Sequence, residues 1–340
     1  MRLRLQDFFA SAFVLSFVIL CCFIGSEIFV RYVIDDGMEY NLEMWKYARQ
    51  LKRVSEDPQQ GHKHIPSRSA LLMGVDVAIN SHGHRNKEVA IEKSPDSVRV
   101  IMLGDSLTFG WGVSAKDTVS EQLEAHLNAN GAGKRFEVIN TGIGNTNTEM
   151  QVARFLGDEA KFSPDIVVLN YFINDAEPIP RPTKNILMKY SAAYVFFSLR
   201  MASVGRMLFA GKQWQKYYQD LYQDDVEAWQ RTQTSFQKLS EYCQSKEIKL
   251  LLVNYPELHK FKPYPFTGVT QKLDRMAALH KVPFFDLLPA LQEQREADLW
   301  VSRQDQHPNS LASSLIAPAI KDALEKYFSI YKPSPIETPQ

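Results

Sequence analysis

The chain has 340 residues, which is enough for one large α/β domain with additional segments. Apolar residues make up 45% of it, an ordinary fraction for a globular protein, so the composition argues against a disordered chain. Its 39 basic and 39 acidic residues give a formal net charge of zero, which offers no electrostatic support for nucleic-acid binding, and we predict no nucleic-acid partner.

The N-terminal segment, residues 1–33, is predicted to be a membrane anchor. Arg2 and Arg4 precede an uncharged run from Phe8 to Gly25, and at about 1.5 Å per residue this run nearly spans a bilayer core of about 30 Å. A cleaved signal peptide is the alternative, but the run is long and no Ala-x-Ala-like cleavage site follows it. The two arginines place the N-terminus in the cytoplasm and the rest of the chain on the opposite side. In a bacterium, the protein would be a single-pass membrane protein whose body lies on the periplasmic side of the inner membrane.

Residues 34–97 are predicted to form a helix followed by a cover segment. Glu39 to Lys52 has apolar residues at helical spacing and a charged opposite face. Short apolar stretches at Leu71–Met73 and Val75–Ile79 predict a small β-hairpin or an extended cover.

Two His-x-His pairs lie in this cover, His62-Lys63-His64 and His82-Gly83-His84. Such pairs can ligate zinc, but no carboxylate or cysteine at familiar ligand spacing accompanies them. We therefore interpret them as polar loops of the cover segment, and we predict no metal site.

From residue 98 onward, short apolar runs alternate with helical patterns. Such alternation predicts a mostly parallel, doubly wound sheet. The predicted strands are Val98–Leu103, Phe136–Asn140, Ile166–Tyr171, Lys249–Asn254 and Val282–Leu287. The predicted helices include Val119–Asn128, Trp214–Ser245 as one long helix or a pair, Val269–Leu279 and Leu311–Tyr327.

Residues 186–208 are strongly apolar and helical in pattern. An apolar stripe of this kind is typical of a cover helix packed on the sheet, which is the interpretation we favour. The alternative is a lid or a membrane-facing wall beside the functional site. The last segment, residues 331–340, is rich in proline and is predicted to be a disordered tail.

Polar residues with catalytic potential follow the carboxyl ends of the predicted strands. Ser106 follows the first strand, a Gly/Asn/Thr-rich turn follows the second, and Asn174-Asp175 follows the third. Asp305 and His307 precede the last helix in a polar loop. The carboxyl ends of parallel strands share one face of an open α/β sheet, where such sheets place their ligands. A serine becomes a nucleophile only if a base can take its proton, and this arrangement would supply one.

These motifs, in this order, resemble those of the SGNH (GDSL) hydrolases. The matching segments are Gly104-Asp105-Ser106-Leu107, the turn Asn140–Thr148, Asn174-Asp175 and Asp305-x-His307-Pro308. The resemblance covers about Val98 to Tyr327, and we assign an SGNH hydrolase-like domain to residues 98–330. It implies a flavodoxin-like three-layer α/β/α sandwich with a mostly parallel five-stranded sheet, and hydrolysis or transfer of an ester-linked acyl group.

Carried over position by position, the resemblance implies a role for each site residue. Ser106 would be the nucleophile, His307 the base that takes and returns its proton, and Asp305 the acid that holds the imidazole tautomer. The oxyanion would be met by the backbone N–H groups of Ser106 and Asn145 and by the side-chain amide of Asn174. Such a serine mechanism needs no metal or organic cofactor.

The sequence departs from the family pattern at three positions. The usual Asp-x-x-His spacing is shortened to Asp305-x-His307. The glycine of the second motif falls on Asn145 rather than Gly144, and a backbone N–H can still donate from asparagine, which tolerates left-handed backbone geometry. Phe172 stands where the third motif usually has glycine, and we expect it to narrow the pocket.

The leading hypothesis is a membrane-anchored, extracytoplasmic serine esterase that acts on acyl or acetyl esters of a glycan. The lead-in Asn80-Ser81-x-Gly83-x-Arg85 resembles that of membrane-tethered bacterial members linked to surface polysaccharide. The alternatives are acyl transfer to a polysaccharide hydroxyl by the same triad, a lipase or thioesterase, and a catalytically inactive glycan-binding protein. The expected partners are an acylated small molecule or glycan, and the membrane.

Overall fold

The computed structural model describes residues 2–129, 133–180, 183–209 and 213–330, so the predicted disordered tail, residues 331–340, lies outside the described residues. The strands in these ranges are β1 (Lys52–Val54), β2 (His62–His64), β3 (Ser69–Leu72), β4 (Val75–Ala78), β5 (Ser97–Leu103), β6 (Arg135–Asn140), β7 (Ile166–Tyr171), β8 (Lys249–Asn254), β9 (Phe284–Asp286), β10 (Trp300–Ser302) and β11 (Asp305–Pro308). The helices are α1 (Arg2–Phe29), α2 (Tyr40–Gln50), α3 (Ser106–Phe109), α4 (Val119–Asn128), α5 (Thr148–Arg154), α6 (Ile186–Tyr190), α7 (Ala192–Phe209), α8 (Gln213–Leu221), α9 (Glu227–Ser245), α10 (Thr267–Leu279), α11 (Leu288–Leu291) and α12 (Ser310–Phe328).

Within the described ranges, five strands form one parallel sheet in the order β6-β5-β7-β8-β9. Val100 of β5 lies opposite Val138 of β6, and Leu252 of β8 lies opposite Phe284 of β9. Counted along the chain, the strands of this sheet have the order 2-1-3-4-5, which is that of flavodoxin-like folds. The predicted sheet is therefore confirmed, and β7 and β8 have the predicted bounds.

Helices cover both faces of the sheet because alternate residues of each strand point to opposite sides. On one face, Ile101 and Val167 belong to a core with residues of α5, α9 and α10. On the other face, Val100 and Val168 belong to a core with residues of α4, α11 and α12. The two helical layers complete the predicted three-layer α/β/α sandwich.

The cover segment consists of helix α2 and two small hairpins. Strands β3 and β4 pair in antiparallel fashion, which confirms the hairpin predicted there, and β1 pairs with β2. The helix predicted to continue to Lys52 ends at Gln50, and Lys52 begins β1 instead. The buried Tyr47 of α2 packs in one cluster with Phe109 and Trp111, so the cover encloses the segment that follows Ser106.

Helix α1 continues into a π-helical turn at Val30–Ile34. Every side chain from Asp7 to Gly25 is exposed. The segment Asp7–Ile34 is 28 residues long and contains an 18-residue window with a mean hydropathy of 2.5. By length and composition it could cross a membrane, as a membrane anchor or a signal sequence does.

The buried side chains described for the segment 186–208, all within residues 186–202, pack in a cluster away from the sheet, so the cover helix predicted there is wrong. It forms α6 and α7, which are separated at Ser191. The buried Val195 of α7 packs in one cluster with Val30 and Leu42. Because other helices already cover both faces of the sheet, the apolar stripe of this segment is buried against α2 and the end of α1.

Candidate active site

Ser106 lies where β5 turns into the short helix α3. Asp105 caps that helix, because its Oδ1 accepts a hydrogen bond from the Leu107 N–H at 2.9 Å. The turn after β6 packs very closely on this helix: a Cβ atom at Gly142 would lie only 2.3 Å from the backbone nitrogen of Phe109. The absence of a side chain at Gly142 therefore lets the second turn lie directly against the turn that carries Ser106.

The side chains of Ser106, His307 and Asp305 form one hydrogen-bonded chain. Ser106 Oγ lies 2.8 Å from His307 Nε2, and His307 Nδ1 lies 2.5 Å from Asp305 Oδ1. The other carboxylate oxygen, Oδ2, accepts a hydrogen bond from Trp111 Nε1 at 2.7 Å. Because the Nδ1–H of the imidazole donates to Asp305, Nε2 is left as the acceptor that faces the serine hydroxyl.

Asp305 and His307 lie on a strand, β11, so the polar loop predicted for this segment is wrong. This strand pairs in antiparallel fashion with β10, with Ser302 opposite Asp305 and Trp300 opposite Pro308. In an extended strand, side chains two residues apart share one face. The shortened Asp-x-His spacing therefore brings the carboxylate and the imidazole together.

Asp305 is only 2% exposed, and burial by itself would raise the pKa of its carboxyl. The hydrogen bonds and charge of His307, together with the Trp111 N–H, outweigh that effect and hold the pKa of Asp305 below its usual value. The carboxylate is thus ionised at neutral pH and can stabilise a positively charged imidazolium. The aromatic rings of Tyr40 and Trp111 pack beside that imidazole, with centroids 5.9 and 6.2 Å from the centroid of His307.

Asn145 and Asn174, the predicted oxyanion donors, line the same cavity as Ser106 and His307. Asn145 has a φ of 63°, in the left-handed region that asparagine tolerates. The N–H of the preceding Gly144 is occupied, because it donates to the Tyr47 hydroxyl at 3.0 Å. Of the backbone N–H groups of Gly144 and Asn145, only that of Asn145 is therefore left to face the cavity.

Asn174 is presented by a 3₁₀ turn, Ile173–Ala176, which Asp175 holds in place. Asp175 Oδ2 accepts a hydrogen bond from the Phe172 N–H at 2.7 Å, and Oδ1 accepts one from the Gln151 side-chain amide at 2.8 Å. Burial raises the pKa of Asp175 well above its usual value, and the nearby Asp105 carboxyl raises it further. Asp175 is therefore a buried structural acid, whereas the adjacent Asn174 borders the cavity.

The cavity beside Ser106 has a volume of about 310 Å³, at the lower end of the range for small-molecule sites. Phe172, which is expected to narrow the pocket, forms part of its wall. Much of the remaining wall is aromatic or hydrogen-bonding: Tyr40, Trp214, Tyr218, Glu257, His259 and Gln304.

Several residues around the site were not identified from the sequence. Tyr40, Met44, Tyr47 and Leu51 follow one another on or just after α2 at helical intervals, and this spacing could have indicated a stripe that faces the domain. Trp111 lies shortly after Ser106, but no local pattern connects it with Asp305, which is 194 residues away in the chain.

The His-x-His pairs lie in the cover segment, and the first pair is on β2 rather than in the predicted polar loop. Burial lowers the pKa of His62 and His84 to about 3 and that of His64 well below its usual value. His64 Nδ1 lies 3.0 Å from the Gly83 carbonyl oxygen, and its Nε2 lies 2.7 Å from the Tyr47 hydroxyl. In the parts of the chain that the structure describes, no group of three or more His, Cys, Asp or Glu side chains could hold a metal ion.

Replacing His84 with glutamine should weaken the loss of stability in acid. A histidine whose pKa falls on folding binds more protons in the unfolded state, so the free energy of unfolding decreases as the pH drops below about 6.5. Each such histidine lowers the free energy of unfolding by at most about 1.4 kcal/mol for each pH unit between its unfolded and folded pKa values. Urea unfolding of the full chain in detergent, repeated from pH 7.5 to pH 5, should give a smaller slope for His84→Gln than for the unmodified protein.

His126, which is exposed, supplies the control for this comparison. The His126→Gln protein should keep the slope of the unmodified protein. The contributions of the other titrating groups to the slope cancel in the comparison, because all three proteins share these groups. Equal slopes in the three proteins would show that His84 does not become protonated on unfolding.

A model of the GDSL-like lipase/acylhydrolase family matches residues 102–313 of the chain. No curated protein matches the sequence. Among solved structures, a two-domain esterase active on acetylated mannans, co-crystallised with mannopentaose, has a TM-score of 0.45 and 16% identity, and the match covers 70% of this chain and 51% of that chain. A lipase/acylhydrolase from Enterococcus faecalis has a TM-score of 0.41 and 15% identity, with 67% of this chain and 96% of that chain covered. An acetyl xylan esterase has a TM-score of 0.41 and 17% identity, with 67% of this chain and 100% of that chain covered.

The chain spans about half the length of the two-domain esterase.

Proposed function

Because the chain belongs to the GDSL-like lipase/acylhydrolase family, a family of ester hydrolases, we propose that it hydrolyses carboxylic esters with Ser106 as nucleophile. His307 is the general base and acid of this proposal, and Asp305 is the carboxylate that orients it. The observation that carries the proposal is the continuous hydrogen-bonded chain from Ser106 through His307 to Asp305. Its Ser106–His307 separation of 2.8 Å lies within the range over which a base takes a proton directly.

The reaction has two steps that use the same imidazole. Ser106 Oγ attacks the ester carbonyl carbon while its proton passes to His307 Nε2. When the C–O bond breaks, the leaving alcohol takes that proton and the acyl group stays on Ser106. A water molecule then gives a proton to His307 and attacks the acyl carbonyl, after which the acid leaves and the proton returns to Ser106.

The charge that develops on the carbonyl oxygen needs donors that are already in position. In this proposal they are the backbone N–H groups of Ser106 and Asn145 and the side-chain amide of Asn174. Asn145 and Asn174 border the cavity together with Ser106, which supports this assignment. Preorganised donors of this kind typically supply about 10²–10³ in rate each.

We further propose that the acyl group is short, such as acetyl, and that the alcohol is a sugar of an extracytoplasmic glycan. A cavity of about 310 Å³ with Phe172 in its wall suits a short acyl group better than a long fatty chain. Trp214 and Tyr218 place aromatic rings at the same cavity, and Glu257 and His259, whose side chains hydrogen-bond to each other, place polar groups there. Together these suit the C–H faces and the hydroxyl groups of a sugar.

The dependence of hydrolysis on acyl chain length tests the substrate proposal. With the full chain in detergent and the 4-nitrophenyl esters of acetate, butyrate, octanoate and palmitate, we expect kcat/KM to be highest for the shortest chains. The octanoate ester should be slower by about tenfold or more, since even one methylene that the cavity does not accommodate costs about 1–3 kcal/mol. Rates that rise with chain length would favour a lipase or thioesterase. When a glycan is added to the 4-nitrophenyl acetate reaction, an acetyl group recovered on a sugar hydroxyl would favour an acyltransferase.

We also propose that α1 is a retained membrane anchor with the rest of the chain outside the cytoplasm, on the periplasmic side in a bacterium. The Glu27 carboxylate near the end of α1 accepts hydrogen bonds from the Ser191 hydroxyl and from the N–H groups of Ala192 and Ala193, at 2.7 to 3.1 Å. Removal of α1 would leave the start of α7 without these partners, which supports retention over cleavage.

Alkaline extraction of membranes tests this placement. The chain should stay in the membrane pellet with its N-terminal residues present by intact mass, and a cysteine at the exposed Ser314 should react with a membrane-impermeant maleimide in spheroplasts. Release of a shortened, soluble chain would show that the segment is a signal peptide.

A further inference from the structure

The peptide group between Gly144 and Asn145 is held from outside the family-matched region. Lys52 Nζ donates a hydrogen bond to the Gly144 carbonyl oxygen at 3.0 Å, and His62 Nε2 lies 3.1 Å from the same oxygen. Lys52 and His62 belong to strands β1 and β2 of the cover, whereas the family match begins at residue 102. The mechanism described above assigns neither residue a role.

We propose that Lys52 is a positioning residue that orients and polarises the Gly144–Asn145 peptide, so that the Asn145 N–H points to the oxyanion. This inference rests on the proposed ester hydrolysis, because it concerns a donor of that reaction.

The orientation follows from the planarity of the peptide group. In a trans peptide the carbonyl oxygen and the next N–H point in opposite directions. The hydrogen bond from Lys52, together with the contact of His62 Nε2 with the same oxygen, fixes the Gly144 carbonyl on the cover side. The Asn145 N–H is therefore directed to the other side, where Asn145 borders the cavity. Within the described residues, no protein acceptor for the Asn145 N–H is found.

The preceding peptide group is fixed as well. The Gly144 N–H donates to the Tyr47 hydroxyl at 3.0 Å, and that hydroxyl lies 2.7 Å from His64 Nε2. The Lys52 ammonium also lies over the Tyr47 ring, 4.7 Å from its centroid. Gly144 is therefore held at both its N–H and its carbonyl by side chains of the cover, which prevents rotation of either peptide plane.

The charge of Lys52 adds polarisation to this orientation. A hydrogen bond from an ionised donor is about twice as strong as a neutral one, and it draws electron density toward the carbonyl oxygen, which makes the N–H of the same peptide a better donor. Burial lowers the pKa of Lys52 to about 7, and the amine donates to the carbonyl in either protonation state. In the protonated state, the positive charge of Lys52 lies on the carbonyl side of this peptide group, and it favours a developing oxyanion at the N–H side.

The experiment compares Lys52→Met and Lys52→Gln with Lys52→Arg and a neighbouring control, Arg53→Met, in the full chain in detergent. Arg53 is an exposed neighbour on the same strand, and its guanidinium pairs with Glu56. Two rates are measured on each protein: steady-state hydrolysis of 4-nitrophenyl acetate, and covalent labelling of Ser106 by a fluorophosphonate, whose adduct places an oxygen at the oxyanion position.

For Lys52→Met we expect kcat to fall about tenfold with KM changed less than twofold, because the donor is misdirected rather than deleted, and deletion costs about 10²–10³. Labelling should slow by the same factor. Lys52→Gln, which keeps a donor without the charge, should be intermediate, Lys52→Arg should recover most of the rate, and Arg53→Met should match the unmodified protein.

Unchanged kcat and labelling in both Lys52→Met and Lys52→Gln would overturn the inference, as would a loss that appears only in KM. If Lys52→Met fails to fold, Lys52→Gln decides: a folded protein with full activity overturns the inference, and one with reduced kcat supports it. An unmodified protein that neither hydrolyses esters nor reacts with the fluorophosphonate would instead overturn the proposed function.

Discussion

Replacement of Ser106 by alanine should reduce ester hydrolysis to a small residual rate while the protein remains folded. The substitution removes only the hydroxyl that lies 2.8 Å from His307 Nε2, so no acyl-enzyme can form. What remains should be the acceleration due to the oxyanion donors and substrate binding, about 10³–10⁴ over the reaction in water. Steady-state kinetics with 4-nitrophenyl acetate measures the loss, and thermal unfolding checks that the fold is kept.

A second serine provides the control for this prediction. Ser314 is exposed on α12, and its hydroxyl bonds only locally to the Leu311 carbonyl, so Ser314→Ala should keep full activity. A fluorophosphonate should add its mass to the unmodified protein and to Ser314→Ala but not to Ser106→Ala. Turnover in Ser106→Ala at the rate of the unmodified protein would remove the basis for a mechanism with Ser106 as nucleophile.

The central strands of the sheet could be predicted from the sequence because they are buried on both faces. A strand with this burial is a short continuous apolar run, and Ile166–Tyr171 and Lys249–Asn254 were predicted with their observed bounds. Ser106 and the Asp305–His307 pair could also be identified, since each lies within a few residues of a recognisable motif. The strands and the short motifs can be recognised in the sequence because each is formed by residues that are neighbours along the chain.

Contacts between distant segments could not be predicted in this way. The Trp111–Asp305 hydrogen bond joins residues 194 apart, and the Lys52–Gly144 bond joins residues 92 apart. Neither the Trp111 nor the Lys52 side chain belongs to a motif or a periodic pattern that identifies its hydrogen-bond partner. The segment 186–208 illustrates the same limit, because an apolar stripe shows that one face is buried without showing which element buries it.

The short spacing of Asp305 and His307 shows how secondary structure decides whether a motif can work. On a helix, two residues separated by one point in different directions, whereas on β11 they share a face. The backbone N–H of His307 also donates to Asp305 Oδ1 at 3.1 Å, which locks the carboxylate against the strand. The extended backbone of β11 thus places the Asp305 carboxylate beside His307. The contribution of this carboxylate to the rate can be measured directly.

Replacement of Asp305 by asparagine should lower kcat by about 10⁴, the loss typical when the aspartate of such a triad becomes an amide. Three donors converge on this carboxylate: Trp111 Nε1, the His307 backbone N–H and His307 Nδ1–H. An amide has one acceptor oxygen and a donor NH₂ group. In either orientation of the asparagine amide, its NH₂ group therefore faces the N–H of Trp111 or the N–H groups of His307. The wrong imidazole tautomer is then favoured or Trp111 loses its partner, and no negative charge remains to stabilise the imidazolium.

Because this interaction strengthens when the imidazole becomes charged, the loss should appear in kcat and leave KM nearly unchanged. Labelling of Ser106 by a fluorophosphonate should slow in proportion, since it needs the same proton transfer. The exposed Asp322 supplies a matched control, and Asp322→Asn should have the kinetics of the unmodified protein. A folded Asp305→Asn protein within tenfold of full activity would show that His307 is oriented by another group, and the assignment of Asp305 would have to be abandoned.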